Sequence, residues 1–416
     1  MKKTIVLITN IFPYSPGEEF LETEIKYWAQ ASDVNFIIMP KEKSEHMRDI
    51  PTSMYVDNIL HKDRKQDNKL KILYMILTSK IFYKELYIQK IFNLKKIRHT
   101  MSSVRNYLYF RGVLKKYIEG CTSKEIVFYS YWHTEVAYAL QDLKKAYNHI
   151  KVVSRIHGYD LYQERRACDY MPLKQQFIDS IEKIYTISET ATRYLISTYS
   201  FNHNLIEVAR LGVDNKNIIS ECSDKNNFHI VSCSHMSKIK RIDKIIDALY
   251  IIALKNSDIM YEWTHIGDGE IFEILNMQVK EKFNNITNVK VTFTRHLNNS
   301  EVYRFYKNNA VDVFINVSES EGVPVTIMEA MSCHIPIIAP DIGGISDMLI
   351  TNENGILLSS KCDVNEIVAA FEQYELFKTK NIRNSAYQIY NTWYNAKKNY
   401  NSFIRKVSGG KFIDNL

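Results

Sequence analysis

The sequence predicts an α/β protein with two doubly wound domains, each built around a parallel sheet. Strand-like apolar runs alternate with helix-like runs from one end of the chain to the other, and such alternation is typical of parallel strands joined by crossover helices. At 416 residues the chain is also too long for one ordinary hydrophobic core, whereas its length suits two.

The first series of elements occupies the N-terminal half of the chain. Its strand candidates are short apolar runs, as expected of strands that are covered on both faces: TIVLIT, VNFIIMP, EIVFYSYW, KVVSRI, KIYTIS and IEVARL. Helix candidates alternate with them: FLETEIKYWAQ, TEVAYALQDLKKAY and ETATRYLISTY. Together these elements predict an N-terminal domain over residues 1–214.

The second series begins with the strand candidate NFHIVSCS and the helix candidate KRIDKIIDALYIIAL, which carries one apolar stripe. It continues through the strand candidates MYEWTHIG, VKVTFT, VDVFINV, HIPIIAP and GILLS. The polar stretch 212–227 separates the two series and is the linker candidate. We therefore expect a C-terminal domain over residues 215–394. We also expect a long aromatic final helix, whose end from about 395 to 416 packs back on the N-terminal domain.

Composition and targeting signals indicate a cytoplasmic protein. The six cysteines form no CxxC pair and have no histidine at zinc spacing, which is typical of reduced thiols in a cytosol. The start, MKKTIVLITN, has too short an apolar run for a signal peptide and is better explained as a first strand. No stretch approaches the roughly 20 apolar residues of a spanning helix. We expect no metal site and no cofactor.

Positive charge is concentrated in residues 61–118. This segment has fifteen Lys and Arg against three acidic residues, a net charge of +12, whereas the whole chain has a net charge of +7. Nine Tyr and Phe are interleaved with these charges at helical spacing. Basic amphipathic helices favour an anionic membrane surface, although ordinary solvated surface helices remain the alternative. Because no nucleic-acid motif accompanies the charge, we expect no nucleic-acid partner.

The stretch SESEGVPVTIMEAM, residues 318–331, predicts an anion site. It follows the buried strand candidate VDVFINV, and Pro324 is expected at the first position of the helix after it. Free N–H groups and the dipole at the start of this helix would attract an anion. Glu329 would lie about 7 Å along the axis from Pro324, and Glu321 precedes the helix. A nucleotide diphosphate sugar has the matching charge and flanking hydroxyls, whereas a simple capped turn remains the alternative.

Two further patterns follow strand candidates. His235, Lys238, Lys240 and Arg241 come between NFHIVSCS and its helix, where fixed cations would stabilise a diphosphate leaving group as it gains charge. His157 directly follows KVVSRI, and a histidine there can bind a sugar hydroxyl or move a proton. Either pattern alone is also explained by a basic loop or by a structural histidine.

Other reaction types fit the sequence less well. The stretch IGDGEIF lacks the third glycine of a dinucleotide loop, and no GxxxxGK[ST] motif is present. The HTE at 133–135 lacks the PCxxC partner of a zinc deaminase. Glu321 and Glu329 are conceivable as a glycosidase pair, but the neighbouring anion site and basic loop would then have no purpose.

Four stretches of the C-terminal half resemble the family-4 retaining glycosyltransferases of the GT-B fold: EGVPVTIME, VSCSHMSKIKRIDKIIDAL, IGDGE and IPIIAPDIGGISDML. In the N-terminal half, YSYWHTEVAYAL, SRIHGYDLY and TNIFPYSPGEEFLETEI are similar to bacterial members that build surface polysaccharides. The resemblance covers nearly the whole chain. It implies two doubly wound domains that face each other across a cleft.

The resemblance also implies roles for individual residues. Glu321 would contact the donor sugar near the reacting carbon, and Glu329 would accept the ribose hydroxyls. The diphosphate would be held by Lys240 and by the backbone of a segment of four residues, namely Gly322, Val323, Pro324 and Val325. His157 would face the donor sugar across the cleft. The family's reaction retains the anomeric configuration, commonly without a metal, and the leaving phosphate accepts the proton of the incoming hydroxyl.

The chain departs from the family pattern at several places. His235 stands where many members have a phosphate-binding arginine, and Arg241 could compensate from a neighbouring position. His334 replaces a usual glycine, Asp347 replaces a glutamate, and the N-terminal loop has only Gly17 where relatives often have a glycine pair.

We expect a transferase that moves a sugar from a UDP-sugar to a lipid-linked or polysaccharide acceptor. It would act as a peripheral protein at the inner face of the membrane. A nucleotide-sugar epimerase of the same fold and a non-enzymatic membrane-surface protein are the alternatives.

Overall fold

The structure is a computed structural model that describes residues 2–62, 69–123, 125–178 and 180–409. The chain divides into two compact units. The first comprises residues up to Arg210 together with the C-terminal segment from Tyr400, and the second comprises Leu211–Asn399.

The first unit is built on a sheet of seven strands, all paired in parallel, in the order β3-β2-β1-β4-β5-β6-β7. Its strands are β1 (Lys3–Thr9), β2 (Val34–Pro40), β3 (Met54–Val56), β4 (Ile126–Ser130), β5 (Ile150–Ile156), β6 (Lys183–Thr186) and β7 (Ile206–Val208). Most of their residues are buried, in agreement with strands that are covered on both faces.

Among the described residues, eight α-helices precede the second unit: α1 (Leu21–Trp28), α2 (Ile59–Lys62), α3 (Lys69–Leu77), α4 (Lys80–Ile88), α5 (Leu94–Gly120), α6 (Glu135–Lys144), α7 (Gly158–Leu161) and α8 (Glu189–Tyr199). One apolar core packs α5 and α6 against the sheet, and the other packs α1 against it. None of the helices among the described residues combines the length and apolarity needed to span a membrane.

The second unit has six strands, again paired in parallel, in the order β10-β9-β8-β11-β12-β13. They are β8 (Asn227–Cys233), β9 (Met260–Ile266), β10 (Val289–Arg295), β11 (Val313–Ile315), β12 (Ile337–Pro340) and β13 (Gly355–Leu358). The helices are α9 (Ile242–Lys255), α10 (Phe272–Phe283), α11 (Asn299–Asn308), α12 (Val325–Ser332), α13 (Val364–Phe371), α14 (Tyr374–Phe377) and α15 (Lys380–Ile389). The prediction of two doubly wound, parallel-sheet domains is confirmed.

Strand order reverses at one place in each sheet. In the first unit, β1 lies between β2 and β4, and in the second, β8 lies between β9 and β11. Crossover helices leave the two neighbouring strands in opposite directions at such a place, so a crevice opens beyond their carboxyl ends. Ligands of doubly wound sheets bind there. The loops after β1, β4, β8 and β11 are therefore the first places to look for a site.

The prediction of one long final helix is wrong. The helix α15 runs into a π-helical turn, Tyr390–Tyr394, and Asn395 is extended before α16 (Ala396–Ser408) begins. The break follows from a close backbone crossing, since the N–H of Val213 donates to the carbonyl of Tyr394 at 2.9 Å. A Cβ on Gly212 would lie 2.7 Å from the backbone of Ala396, so only glycine fits. Residues 410–416 of the predicted helix lie outside the described residues.

The linker candidate at 212–227 is packed along the second unit. Ser220 is buried, and its N–H donates to the carbonyl of Cys333 at 3.0 Å. Farther along, the hydroxyl and the N–H of Ser223 both bind the Asp312 carboxylate. These bonds explain why a polar sequence adopts a defined extended path here.

Candidate active site

The switch point of the second unit brings together Lys240 and Glu321. Lys240 ends a 3₁₀ turn, Lys238–Lys240, in the loop after β8, and Glu321 lies in the loop after β11. Because β8 and β11 are neighbours in the sheet, both loops emerge at the same edge. The N–H of Glu319 donates to the carbonyl of Ile239 at 2.8 Å and ties the loops together.

Lys240 and Glu321 form a short ion pair. Lys240 Nζ lies 2.6 Å from Glu321 Oε1, and the Asn316 side chain donates to the same oxygen at 3.2 Å. The two side chains are only 23% and 12% exposed. Partial burial makes this attraction stronger than that of a surface pair, while a ligand can still reach both groups. An ammonium group and a carboxylate are therefore held in place side by side.

The start of α12 lies next to this pair. Pro324 is the N-cap residue, with φ −69° and ψ 120°, and the helix begins at Val325. The prediction of Pro324 as the first helical residue is therefore wrong by one position: its ring fixes φ but leaves ψ free to be extended. Within the described ranges, the N–H groups of Gly322, Val323 and Val325 donate no hydrogen bond. Backbone donors at a helix start are suited to an anion.

Two consecutive glycines, Gly343 and Gly344, pack against the backbone of the loop that contains Glu321. Gly343 has φ +56°, and a Cβ on it would lie 2.1 Å from the carbonyl oxygen of Glu321. The N–H of Gly344 donates to the carbonyl of Gly322 at 2.6 Å. Any side chain at Gly343 would push the loop out of position. The sequence showed these glycines only as part of a family resemblance, and their role in holding the loop emerged from the structure.

Glu329 lies on α12 and is buried, with only 7% of its surface exposed. Its carboxylate accepts a hydrogen bond from the side chain of Asn299. Burial raises the pKa of Glu329 to about 7, although the bond from Asn299 acts in the opposite direction. Asn299 is the first residue of α11, which follows β10, so its bond to Glu329 places this carboxylate at the carboxyl edge of the same sheet. Asn299 and Asn316 carry no recognisable signal in the sequence.

His235 and Arg241 point elsewhere. The Nε2 of His235 lies 2.9 Å from Glu270 Oε2, and both side chains are more than 60% exposed. Arg241 donates to the carbonyl of Cys362 at 2.8 Å, a bond that ties its loop to the segment before α13. The structure thus assembles Lys240, Glu321 and the α12 start, whereas it does not bring His235 or Arg241 to them. Their predicted contacts with the donor stay predictions.

In the first unit, His157 lies directly after β5 within an aromatic cluster. Its ring stacks on Tyr131 with centroids 4.5 Å apart, and Trp132 and Phe20 pack around it. Burial, together with the charge of Arg155, holds the pKa of His157 well below its usual range, so the ring is neutral. Among the described residues, Nε2 of His157 has no hydrogen-bond partner, so this nitrogen of the neutral ring is available to a hydroxyl of a ligand.

The loop after β1 is organised by Glu18. Its carboxylate accepts hydrogen bonds from the backbone N–H groups of Asn10, Ile11 and Phe12 at 2.7–3.0 Å. It also accepts one from the indole of Trp132 in the loop after β4. This buried carboxylate links the two loops of the switch point in the first unit. The backbone of Glu18 has φ +56°, a conformation that the sequence did not predict.

Within the described ranges, no group of three or more His, Cys, Asp or Glu side chains is placed to hold a metal ion.

Comparison with known protein families gives a match to the second unit. Residues 214–389 match the model of the family described as "Glycosyl transferases group 1". The second unit carries a group 1 glycosyltransferase domain.

Among curated relatives, the chain is similar to the GtfA subunit of a UDP-N-acetylglucosamine–peptide N-acetylglucosaminyltransferase from Streptococcus agalactiae. The identity is 29% over 242 residues, which make up 55% of this chain and 46% of that protein. An O-antigen biosynthesis glycosyltransferase from Escherichia coli, WbnH, is 29% identical over 32% of this chain and 36% of its own. The chain thus spans less than half the length of these relatives.

Among solved structures, the lipopolysaccharide outer core galactosyltransferase WaaB superposes with a TM-score of 0.68 at 14% identity. The match covers 97% of this chain and 99% of that chain. Anabaena HepE in complex with UDP and glucose superposes with a TM-score of 0.64 at 15% identity, over 98% and 99% of the two chains. With a group 1 domain and two parallel-sheet units, the protein has the GT-B fold.

Proposed function

We propose that this protein is a retaining glycosyltransferase. It moves a sugar from a nucleotide diphosphate sugar, in the simplest case a UDP-sugar, to a lipid-linked or polysaccharide acceptor. The group 1 domain and the UDP complexes of proteins with the same fold support the donor class. Relatives named for O-antigen and teichuronic acid biosynthesis support a surface polysaccharide as the product.

The observation that carries this proposal is the Lys240–Glu321 pair beside the start of α12. Transfer breaks the bond between the anomeric carbon and the diphosphate, and the departing oxygens gain negative charge. The Lys240 ammonium, together with the N–H groups of Gly322, Val323 and Val325, would stabilise that charge. Glu321 would accept hydrogen bonds from hydroxyls of the donor sugar and fix its position relative to the phosphate.

In the retaining step, the acceptor oxygen bonds to the anomeric carbon on the face that the diphosphate leaves. The acceptor hydroxyl proton passes to the departing phosphate oxygen, so no protein base is required. We propose that this step needs no metal ion, since a fixed ammonium and backbone donors can neutralise the leaving group. Glu329, in its ionised form, would accept hydrogen bonds from the ribose hydroxyls, and Nε2 of His157 would hydrogen-bond a hydroxyl of the transferred sugar.

The reaction is tested by UDP release from a panel of UDP-sugars, with and without saccharide acceptors. Glu321→Ala is expected to lower turnover at least about a hundredfold, because a group that positions the reacting centre is lost. Glu319→Ala is the matched control: this glutamate is exposed two residues away and should leave turnover unchanged. Equal turnover of Glu321→Ala and wild type would remove Glu321 from the mechanism. Interconversion of UDP-sugars without UDP release would indicate an epimerase.

We also propose that the protein acts at an anionic membrane surface on the cytoplasmic side. From residue 70 to 98 the sequence has seven Lys and Arg and one acidic residue. That acidic residue, Glu85, is buried and accepts hydrogen bonds from the hydroxyl of Tyr170 and the N–H of Leu173. Nine large hydrophobic side chains of the same segment are exposed: Leu70, Leu73, Tyr74, Met75, Leu77, Tyr83, Tyr87, Phe92 and Leu94. We call residues 70–98 the basic apolar surface.

Exposed apolar and cationic side chains without exposed acids are suited to anionic lipid, because the apolar groups enter the headgroup region while the cations meet lipid phosphates.

Residues 63–68 of the predicted membrane segment lie outside the described residues. Sedimentation with vesicles tests the idea: binding should require anionic lipid and should weaken in Lys80→Gln/Lys84→Gln. The control, Lys307→Gln/Lys380→Gln, removes two exposed charges from the second unit. An equal loss of vesicle binding in both double variants would contradict the assignment of membrane binding to the basic apolar surface.

A further inference from the structure

The first unit contains a polar pocket of about 680 Å³. The loop after β4 contributes Trp132, the start of α6 contributes Glu135, the segment after β5 contributes Arg165 and Arg166, and α5 contributes His99. These segments meet at the carboxyl edge of the sheet, where doubly wound folds bind ligands. Trp132 also packs against His157, with ring centroids 4.8 Å apart, so the pocket adjoins the aromatic cluster.

Two of the three carboxylates that line this pocket, those of Asp160 and Glu135, accept hydrogen bonds from protein donors, and the third, Glu42, is exposed. Asp160 accepts the backbone N–H groups of His133 at 2.5 Å and of His157 at 2.7 Å. Glu135 accepts the hydroxyl of Ser103 at 2.5 Å. Carboxylates that are held by internal donors repel an entering anion less than free ones do.

The cationic side chains Arg165, Arg166 and Lys174 line the same pocket, and the two arginines have N–H groups available to a ligand. Arg166 lies over the ring of Tyr159, 3.4 Å from its centroid. Stacking occupies the face of the guanidinium and leaves its in-plane N–H groups available. Arg165 is exposed beside it, and Lys174 adds a buried ammonium group whose Nζ is anchored on the carbonyl of Asp160. Two adjacent guanidinium groups bind phosphate in a forked geometry.

The pocket opens beside the basic apolar surface. Leu94, which is 73% exposed, begins α5, and His99 lines the pocket about one turn farther along the same helix. Lys96 lies between them and has its Nζ 5.4 Å from the ring centre of Tyr170, another lining residue. An anion in the pocket could therefore carry an apolar chain that lies along the basic apolar surface.

We propose that this pocket binds the phosphate or diphosphate that links the acceptor saccharide to its lipid, with Arg165 and Arg166 as the phosphate ligands. The inference rests on the proposed transferase function and specifies its acceptor. The lipid extends over the basic apolar surface, and the saccharide extends from the phosphate toward the aromatic cluster around His157. A saccharide with a carboxylate, and no lipid, is the competing occupant.

The test measures binding by calorimetry in the presence of saturating UDP, which fills the donor site of the second unit. Inorganic pyrophosphate and farnesyl diphosphate are the probes, and glucuronate and farnesol are the comparisons. Wild-type protein should bind both diphosphates, with farnesyl diphosphate the tighter ligand. Arg165→Gln/Arg166→Gln should weaken both by about tenfold or more, since charge-assisted bonds are lost, while UDP affinity stays unchanged.

The control variant, Lys80→Gln/Lys84→Gln, removes the same charge from the basic apolar surface. It should bind pyrophosphate as wild type does and bind anionic vesicles more weakly. The proposal is overturned if wild-type protein binds neither diphosphate, if the double arginine variant binds both as tightly as wild type, or if glucuronate binds better than pyrophosphate. Absence of UDP binding would instead contradict the proposed donor, so the two failures are distinguishable.

Discussion

Replacing Glu329 by glutamine should stabilise the protein at alkaline pH. The carboxyl group of Glu329 is buried, and its pKa in the folded protein is about 7, against an ordinary 4.5. Because the pKa is raised in the folded protein, the protonated carboxyl group makes its full contribution to stability below about pH 4.5. This contribution is lost as the pH rises through about 7. One pKa unit corresponds to about 1.4 kcal/mol, so the charged carboxylate costs the folded state about 3 kcal/mol at pH 8.

Glu329→Gln keeps the shape of the side chain and removes the titration. The free energy of unfolding of the variant, relative to wild type, should therefore rise by about 2–3 kcal/mol between pH 5 and pH 8. Urea unfolding at the two pH values measures this change. Glu353→Gln, at an exposed position, is the control and should show little change. A difference between Glu329→Gln and wild type that is the same at both pH values would refute the reasoning, because the carboxyl group would then not titrate in this range.

Three other predictions concern the site and its support. UDP affinity of wild-type protein should rise from pH 6 to pH 8 as Glu329 ionises, and a flat profile in calorimetry would contradict its ribose role. Gly343→Ala should lower turnover and thermal stability, since its Cβ would collide with the backbone of Glu321. Gly112→Ala is the control: it lies on α5 with open space around it, and it should raise the free energy of unfolding by up to about 1 kcal/mol. Glu24→Gln should destabilise by about 3–5 kcal/mol in urea unfolding, because the fully buried guanidinium of Arg155, 2.5 Å from Glu24, would lose its charged partner. A loss below about 1 kcal/mol would show that other contacts satisfy Arg155.

Local patterns predicted the secondary structure well. The run VNFIIMP has the same bounds as β2, because a continuous apolar run between polar turns has few alternatives in a parallel sheet. The run ETATRYLISTY has the same bounds as α8, because Ser188 before it is a favoured N-cap residue. The break at Asn395 was missed, since each half of that segment has a regular helical pattern. What ends α15 is the backbone crossing at Gly212, which lies far away in the sequence.

The candidate site was predictable in part for the same reason. Lys240 and Glu321 each follow a strand, and parallel strands place their carboxyl ends at one edge, so a meeting between them was a reasonable expectation. His235 and Arg241 follow the same strand as Lys240, yet their partners are Glu270 and Cys362. Where a long side chain points depends on which acceptors the packed loops bring near it, and sequence order does not specify this.

The sequence by itself determined the alternation of strands and helices, the two parallel sheets and the strand ends that carry charged residues, because these depend on local hydrophobic patterns and on chain connectivity. Only the tertiary structure decided that Lys240 pairs with Glu321, that Glu329 is buried enough to hold a proton near neutral pH, and that Arg165 and Arg166 line a pocket beside the basic apolar surface. Distances, burial and electrostatic environment arise from contacts between residues far apart in the chain, and no local pattern encodes them.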